Sequence, residues 1–404
     1  MLHTSLRTDP GATANGARPS AEAEIDRGVR MGYRPELDGL RAVAVIAVVA
    51  FHFFGRFQGG FLGVDLFFLL SGFLITRLLL EERHRVGRIR LGRFYARRAA
   101  RLLPALGVVC AVTLLVAATG LGPSVGDVLT AIGLAFGYAL NWAHVAGASL
   151  PLEHLWSLAV EEQFYIVWPI LLVALLAWGG MRLARRTAAA IILIAVVQMA
   201  IRFQRGVDFD ALYQGTDGQG AVFLMSGCLL GMLVATTPAD LARSLIGRAA
   251  RLAAIPAGVV LVAWVFAVPR EDPFWYRGGF LLAVVLMAAV VVTALCDGAL
   301  ARALRVAPLV WVGRLSYAIY LWHVPLREWV GDAWPGLGWT TAAAVAAVLT
   351  LGCATLTYYV VEMPIRNWAG RRLGRPSPGP RADGAPAPRD AVASLAPSAV
   401  AVSA

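Results

Sequence analysis

Residues 61–80 are FLGVDLFFLLSGFLITRLLL, and residues 81–101 continue as EERHRVGRIRLGRFYARRAAR. The first stretch is predominantly apolar and has about 20 residues, the length that an α-helix needs to cross a lipid bilayer. The second stretch holds eight arginines. Loops on the cytoplasmic side of a membrane carry an excess of basic residues. A membrane span followed by a basic loop therefore predicts both insertion and orientation.

The overall composition supports the same class of protein. Hydrophobic residues make up 58% of the 404 positions and charged residues only 15%, a balance outside the range of soluble domains. All 36 basic residues are arginine, and the formal net charge is +11. Because these arginines collect in a few loops, membrane orientation explains the charge better than nucleic-acid binding does. We therefore expect membrane lipid, and no nucleic acid, as a partner.

Eleven apolar stretches recur along the chain. They cover about 38–57, 61–80, 102–120, 127–145, 155–178, 187–204, 219–236, 253–269, 279–296, 308–326 and 339–361. Arginine-rich loops alternate consistently with arginine-poor loops only if one stretch between residues 101 and 179 does not cross the membrane. The segment 127–145 is the weakest candidate because glycines interrupt it. We expect it to be re-entrant or to lie at the outer surface.

The predicted fold is an all-α integral membrane protein, a bundle of about ten transmembrane helices in the plasma membrane with both termini cytoplasmic. Residues 1–35 contain neither an apolar segment nor a signal peptide and predict a disordered cytoplasmic extension. Residues 36–368 form the predicted transmembrane domain. Residues 369–404 are rich in Pro, Ala and Ser and predict a disordered cytoplasmic tail.

The four cysteines all lie in apolar segments. They are Cys110, Cys228, Cys296 and Cys353. This placement predicts small packing residues rather than disulfides or metal ligands. No metal site is predicted.

The first span carries Arg41 and His52 within an otherwise apolar run. Eleven residues make about three helical turns, so both side chains share one helix face about 16 Å apart. Ionisable residues inside a span are costly and mark a functional path by default. In the alternative interpretation, Arg41 reaches the interface and His52 bonds to a neighbouring helix.

Asp65 belongs to the second span. Folding the hairpin at its glycine-rich turn, 55–60, brings Asp65 to the depth of His52. A carboxylate beside a histidine fixes its tautomer and raises its basicity, as a general base requires. Asp65 could equally cap the second span.

Two adjacent glutamates, Glu161 and Glu162, lie within the span 155–178. Neighbouring helix positions point about 100° apart, so at most one of them faces the same cavity as His52. We expect a site role for at least one. In the alternative interpretation, one lies at the interface and the other pairs with an arginine.

The span 308–326 carries Ser316, Tyr320 and His323 at helical spacing. This polar stripe could line a path for an acceptor substrate. Tyrosine and tryptophan are also enriched where spans meet the membrane surface. We favour this second interpretation, an aromatic belt in which His323 is interfacial.

The basic loop continues into a predicted helix, Phe94–Pro104, on which Arg97 and Arg101 share one face. Guanidinium groups match phosphate oxygens, so this face is suited to a phosphorylated cytoplasmic ligand. Membrane orientation and binding to anionic lipid would by themselves explain much of the positive charge of this loop. By depth, the candidate acid–base groups lie toward the outer half of the membrane and the phosphate-compatible arginines lie inside.

The motifs resemble those of the acyltransferase-3 family of membrane O-acyltransferases. The matching segments are Leu37–Arg41 with His52, Gly59–Phe68 with Ser71–Ile75, Phe94–Arg98 with Arg101 and Pro104, Trp156–Tyr165, Leu315–Tyr317 with Leu321–Pro325, and Glu362–Arg366. They follow the family's order over about residues 33–368.

The resemblance implies a ten-span domain that moves an acyl group from acyl-CoA to a hydroxyl, usually on a carbohydrate. It implies that Arg41 and His52 match the family's hallmark pair, with His52 catalytic. It also implies that Arg97, Arg98 and Arg101 match a donor-binding motif. Some relatives append an extracytoplasmic hydrolase-like domain. Fewer than forty-five residues follow the last predicted span here, so we expect that domain to be absent.

The acceptor is left open at this stage. A surface polysaccharide, a cell-wall sugar or a glycolipid fits the outward acid–base groups, and a macrolide or another glycosylated secondary metabolite is the alternative. A proton-coupled transporter or flippase is a more distant alternative that could use His52, Asp65 and Glu161 as a proton relay. The absence of an internal repeat visible by eye counts against a transporter built from inverted repeats.

Overall fold

The computed structural model of the protein describes residues 31–237 and 241–373. The predicted disordered extensions therefore lie almost entirely outside the described residues. The first helix begins at Pro35, and the last helix ends at Arg372, a few residues beyond the boundary expected at residue 368.

The described secondary structure is helical throughout. In chain order the α-helices are α1 (Pro35–Phe53), α2 (Leu62–Val86), α3 (Leu91–Ala118), α4 (Val125–Phe136), α5 (Leu140–Val145), α6 (Trp156–Trp178), α7 (Gly180–Gln204), α8 (Phe209–Gln214), α9 (Gln219–Ala235), α10 (Leu245–Ala267), α11 (Phe280–Leu295), α12 (Ala299–Leu304), α13 (Ala307–Ala333), α14 (Trp339–Leu356) and α15 (Met363–Arg372). Short 3₁₀ turns at Glu153–Leu155 and Leu241–Arg243, and π-helical turns at Trp275–Gly279 and Thr357–Glu362, complete the described elements.

The helices have the lengths of a membrane bundle. Among the described residues, eight helices are long and apolar enough to cross a membrane. Helices α1 and α13, with 19 and 27 residues, are also long enough, but polar or charged residues interrupt their apolar stretches. These two carry His52 and His323. The prediction of an all-α membrane protein is confirmed, and the eight helices together with α1 and α13 account for the predicted bundle of about ten.

The segment 127–145 does not form a continuous span. Helix α4 has 12 residues, which corresponds to about 18 Å and is shorter than the hydrocarbon core of a bilayer. Tyr138 follows with a φ of 53°, and the chain then starts the six-residue helix α5. The structure thus agrees with the expectation that this segment does not cross.

Contacts between loops define two ends of the bundle. At the arginine-rich end, formed by residues 87–90 and 296–306, Arg305 donates a 2.8 Å hydrogen bond to the buried carboxylate of Glu36. At the opposite end, the N–H of Gly59 donates to the carbonyl of Val265 over 3.0 Å. The described chain starts and finishes at the arginine-rich end.

Glycines allow the central helices to approach closely. A Cβ atom on Gly72 of α2 would lie 1.9 Å from the carbonyl oxygen of Leu224 in α9, and a Cβ on Gly227 would lie 2.1 Å from that of Leu69. A Cβ on Gly313 of α13 would similarly lie 1.8 Å from the carbonyl oxygen of Asp38 in α1. Small residues that let backbones touch are typical of membrane helix interfaces.

The α2–α9 contact generates a stability prediction. We expect Gly72→Ala and Gly227→Ala each to lower the free energy of unfolding by about 1–3 kcal/mol, because the added methyl group forces the two backbones apart. The midpoint of thermal unfolding in detergent, followed by size-exclusion chromatography, measures the effect. Gly107→Ala in α3 is the matched control because its Cβ would meet no atom within 4 Å. Equal midpoints for all three variants would contradict close α2–α9 packing.

Candidate active site

The arginines of the predicted basic motif line a cavity near the arginine-rich end. Helix α3 continues without interruption through Pro104, so the motif and the third span form one helix. The cavity has a volume of about 230 Å³. Its charged lining consists of Arg41, Arg97, Arg98, Arg101 and Glu161. The sequence separated Arg41 from the other three arginines, and the structure brings all four to one cavity.

Arg98 is the most strongly held of these arginines. Its Nε donates a 2.9 Å hydrogen bond to Oε2 of Glu162, and its Nη2 donates to the other oxygen of the same carboxylate. Its guanidinium carbon lies 3.1 Å from the centre of the Tyr165 ring. A two-point carboxylate contact and an aromatic face fix the guanidinium plane.

The two adjacent glutamates have different surroundings. Glu162 is buried and pairs with Arg98, which matches the expected alternative in which one glutamate pairs with an arginine. Glu161 accepts a 2.6 Å hydrogen bond from the hydroxyl of Ser71 and lines the cavity. Of the two, Glu161 lines the arginine-lined cavity and Glu162 does not. The expectation concerned a cavity shared with His52, which does not line this one, so it stays a prediction.

A narrower cavity, with a volume of about 50 Å³, lies next to the arginine-lined cavity. Both cavities are lined by Arg41, Leu158, Glu161 and Tyr317, so they adjoin each other. Side chains that line only the narrower cavity are Val64, Phe67, Phe68, Ser157, Ser316 and Tyr320. The guanidinium of Arg41 lies 5.2 Å from the centre of the Phe67 ring.

Three histidines lie together beyond the narrower cavity. Nε2 of His323 lies 3.3 Å from Nδ1 of His52, and the ring centres of His154 and His323 are 5.4 Å apart. Tyr320 connects this cluster to the cavity because its hydroxyl is 2.8 Å from Ser157 Oγ and bonds the carbonyl oxygen of His154. Histidines from α1, α13 and the turn before α6 therefore form one polar group.

The aromatic-belt interpretation of α13 was wrong. Ser316 and His323 are fully buried, and Tyr320 is largely enclosed. Trp322 is also buried and donates a 3.0 Å hydrogen bond to Thr357. The reason is that α13 packs along α1 in the centre of the bundle rather than at its lipid-facing surface.

Asp65 does not serve as the neighbour of His52 that its depth suggested. The carboxylate is fully buried, and Oδ1 accepts a 3.3 Å hydrogen bond from the hydroxyl of Tyr213. The hydrogen-bond partners of His52 Nδ1 are the carbonyl oxygen of Val48, at 2.9 Å, and His323. The structure thus separates Asp65 from the histidine cluster and gives it a packing environment among aromatic side chains.

Sequence reasoning missed His154 and Tyr320 as neighbours of the candidate base. His154 and Ser157 flank Trp156 at the start of α6, and this polar segment was the available signal. Among the described residues, no group of three or more His, Cys, Asp or Glu side chains has the arrangement of a metal site. Of the cysteines, Cys110, Cys228 and Cys296 are buried and Cys353 is half-buried.

A large groove opens at the opposite end of the bundle. It has a volume of about 860 Å³, and its lining includes Phe53, Arg327 and Trp339 together with the acidic side chains Asp127, Glu153, Glu328 and Asp332. Arg327 donates a 2.9 Å hydrogen bond to the carbonyl oxygen of His52. Phe53 packs 6.4 Å from the His323 ring centre. The groove therefore adjoins the histidine cluster on the side away from the arginines.

The buried Arg98–Glu162 pair generates a prediction for a double-mutant cycle. We expect Arg98→Met and Glu162→Met each to lower the free energy of unfolding by about 3–5 kcal/mol, because each removes the nearest partner of a charge inside the bundle. Arg98 keeps a longer ion pair with Glu161, at 3.7 Å, when Glu162 is replaced. The double variant should lose less than the sum of the two single losses. Unfolding in mixed micelles by titration with SDS measures these values.

The more exposed Arg202–Asp217 pair, at 3.2 Å, is the control for this cycle. Its removal should cost less than about 1 kcal/mol. Additive losses at Arg98 and Glu162 would show that the two side chains do not stabilise each other.

Comparisons with known proteins agree with the motifs. The model of the acyltransferase domain family matches residues 34–359. The chain is 34% identical over 360 residues to the peptidoglycan O-acetyltransferase OatA of Listeria monocytogenes, covering 83% of this chain and 56% of that protein. It is also 34% identical over 353 residues to the O-acetyltransferase OatA of Staphylococcus aureus, covering 83% and 57%. No solved structure matches.

The chain thus spans a little more than half the length of these relatives. The family match extends over most of the described helices and includes Arg41, His52, the arginines of α3 and the α13 histidine. On this basis the chain is a multi-pass membrane protein that belongs to the acyltransferase-3 family.

Proposed function

We propose that the protein transfers an acetyl or other short acyl group from acyl-CoA to a hydroxyl of a carbohydrate, with a cell-wall sugar as the first candidate. The observation that carries the proposal is the path from the arginine-lined cavity, past Arg41 and Glu161, to Tyr320 and the histidine cluster. An acyl-transfer enzyme needs a donor site and a base connected in this way.

The arginine-lined cavity is suited to the phosphates of coenzyme A. Arg97 and Arg101 lie on one face of α3, and Arg101 is accessible from the cavity. Guanidinium groups bind phosphate oxygens with two parallel hydrogen bonds. The acyl-pantetheine arm would then extend along the narrower cavity past Arg41. Because basic loops face the cytoplasm, this end and both ends of the domain, residues 36–368, would be cytoplasmic in the plasma membrane.

His52 would act as the general base at the far end of the path. Neutral His52 accepts the proton of the acceptor hydroxyl as the oxygen attacks the thioester carbonyl. A carbon–oxygen bond forms, the carbon–sulfur bond breaks, and the proton passes from His52 to the leaving sulfur. Direct transfer requires no acyl-enzyme. Glu161 would orient groups along the donor path, and Glu162 would hold Arg98. Asp65 would act on the site only through packing.

The acceptor would approach from the opposite end of the bundle. The large groove there combines the exposed ring of Trp339 with carboxylates that accept hydrogen bonds from hydroxyl groups. Its position beside the histidine cluster would let donor and acceptor reach His52 from opposite sides. The names of the relatives, which describe O-acetylation and in one case peptidoglycan, support a cell-wall sugar.

The base assignment is tested with His52→Ala. We expect acyl transfer to fall by about 10²- to 10⁴-fold, because a general base contributes on that order. Coenzyme A binding should persist, since His52 lies outside the arginine-lined cavity. Transfer from radiolabelled acetyl-CoA in membrane vesicles and binding to the purified protein measure the two effects. His84→Ala, a change at the end of α2, should keep wild-type transfer. Wild-type turnover by His52→Ala would remove His52 from catalysis.

The donor assignment is tested with Arg101→Gln. We expect KM for acetyl-CoA to rise by about 10- to 100-fold, the loss expected for a hydrogen bond to a charged group. KM for acetyl-pantetheine, which lacks the nucleotide phosphates, should not change. Arg93→Gln is the control because Arg93 is exposed on the same helix and does not line the cavity. An equal rise for both donors would exclude a phosphate contact at Arg101.

A further inference from the structure

The hydrogen bonds of the histidine cluster determine which ring nitrogens carry hydrogen. Nδ1 of His52 lies 2.9 Å from the carbonyl oxygen of Val48. A carbonyl oxygen only accepts hydrogen bonds, so Nδ1 of His52 must carry the hydrogen. In the neutral ring, Nε2 then has the free lone pair. Nε2 is therefore the atom that can accept a proton from a substrate.

His323 is oriented in the same manner. Its Nδ1 lies 2.7 Å from the carbonyl oxygen of Tyr320, so this nitrogen is the donor. Nε2 of the neutral His323 ring is then an acceptor, and it lies 3.3 Å from Nδ1 of His52. The N–H of His52 is thus shared between two acceptors, one on its own helix and one on α13. Both contacts favour the same tautomer.

We propose that His323 is a positioning residue that holds His52 in the Nδ1–H tautomer and fixes its ring orientation for proton transfer at Nε2. The proposal rests on the proposed function for its kinetic consequence, while the tautomer itself can be observed directly. His323 takes the position in which many catalytic histidines have a carboxylate. Its own orientation comes from the Tyr320 carbonyl and from complete burial between α1 and α13.

The same contact has a role after the proton has moved. When Nε2 of His52 accepts the proton of the hydroxyl group, the imidazolium keeps its Nδ1–H, and His323 Nε2 accepts that hydrogen bond. Hydrogen bonding to the charged form of a group stabilises that form. His154 completes the enclosure, with its Nε2 3.3 Å from the carbonyl oxygen of Leu321. The proton finally returns from His52 Nε2 to the leaving group, and His323 gains and loses none.

The direct test is ¹⁵N spectroscopy of histidine-labelled protein in lipid nanodiscs, with the His52 signals assigned by their loss in His52→Ala. We expect wild-type His52 to show one tautomer, protonated at Nδ1 and unprotonated at Nε2. His323→Gln should keep this tautomer because its side-chain oxygen is an acceptor. In His323→Phe, which has a ring but no acceptor, only the Val48 carbonyl still holds the hydrogen on Nδ1, so a detectable fraction of the Nε2–H tautomer should appear. A wild-type His52 protonated at Nε2, or an unaltered spectrum in His323→Phe, would overturn the inference.

The kinetic test uses the same two variants. We expect His323→Phe to lower kcat by about 10- to 100-fold, the loss of one hydrogen bond to a charged group, while KM for donor and acceptor stays unchanged. His323→Gln should recover most of kcat. In a His52→Ala background, His323→Phe should have no further effect.

Wild-type kcat in His323→Phe, with His52→Ala inactive, would refute the positioning role alone. Turnover by His52→Ala would instead refute the proposed function and leave the spectroscopic result to decide the tautomer.

Discussion

Buried charge is the constraint on which this structure depends. A guanidinium within an apolar bundle is stable only if neighbouring helices supply hydrogen-bond acceptors or aromatic faces. Arg98 of α3 receives both from α6, in the carboxylate of Glu162 and the ring of Tyr165. This contact fixes α3 against α6 and leaves Arg97 and Arg101 to face the cavity. The ion pair of Arg98 thus holds the two helices together, while Arg97 and Arg101 remain available to bind an anionic ligand.

The second constraint is the close approach of α1 and α13. The contact of Gly313 with the Asp38 carbonyl brings these two backbones together near the arginine-rich end, where Gly39 of α1 also contacts the carbonyl of Leu304 in α12. Farther along the same two helices, His52 and His323 meet. These two polar side chains face each other inside the bundle. Because they are enclosed within the bundle, the free-energy cost of placing them in a membrane is lower than it would be in contact with lipid.

The sequence predicted the parts of the site that depend on periodicity and depth. Helical spacing placed Arg97 and Arg101 on one helix face, and both line the arginine-lined cavity. The angle of about 100° between neighbouring positions separates Glu161, which lines that cavity, from Glu162, which pairs with Arg98. Hairpin geometry predicted how deep Asp65 lies in the membrane, but not which way its side chain points around the helix. The carboxylate points to Tyr213 and not to His52. The belt assignment of His323 failed for a related reason. A tyrosine and a tryptophan near the end of a span look alike whether the helix is peripheral or central, and only packing distinguishes the two.

Carbonyl and imidazole acceptors suit a base in this environment better than a carboxylate would. A carboxylate beside His52 would form an ion pair with the imidazolium, and in a low-dielectric interior that attraction is strong. The proton would then be held on His52 when it has to move on to the leaving group. Neutral acceptors fix the tautomer with directional bonds but add no opposing charge. Val48, Tyr320 and His323 thus orient His52 but leave its proton free to transfer. This freedom is needed because His52 acts first as the base and then as the acid.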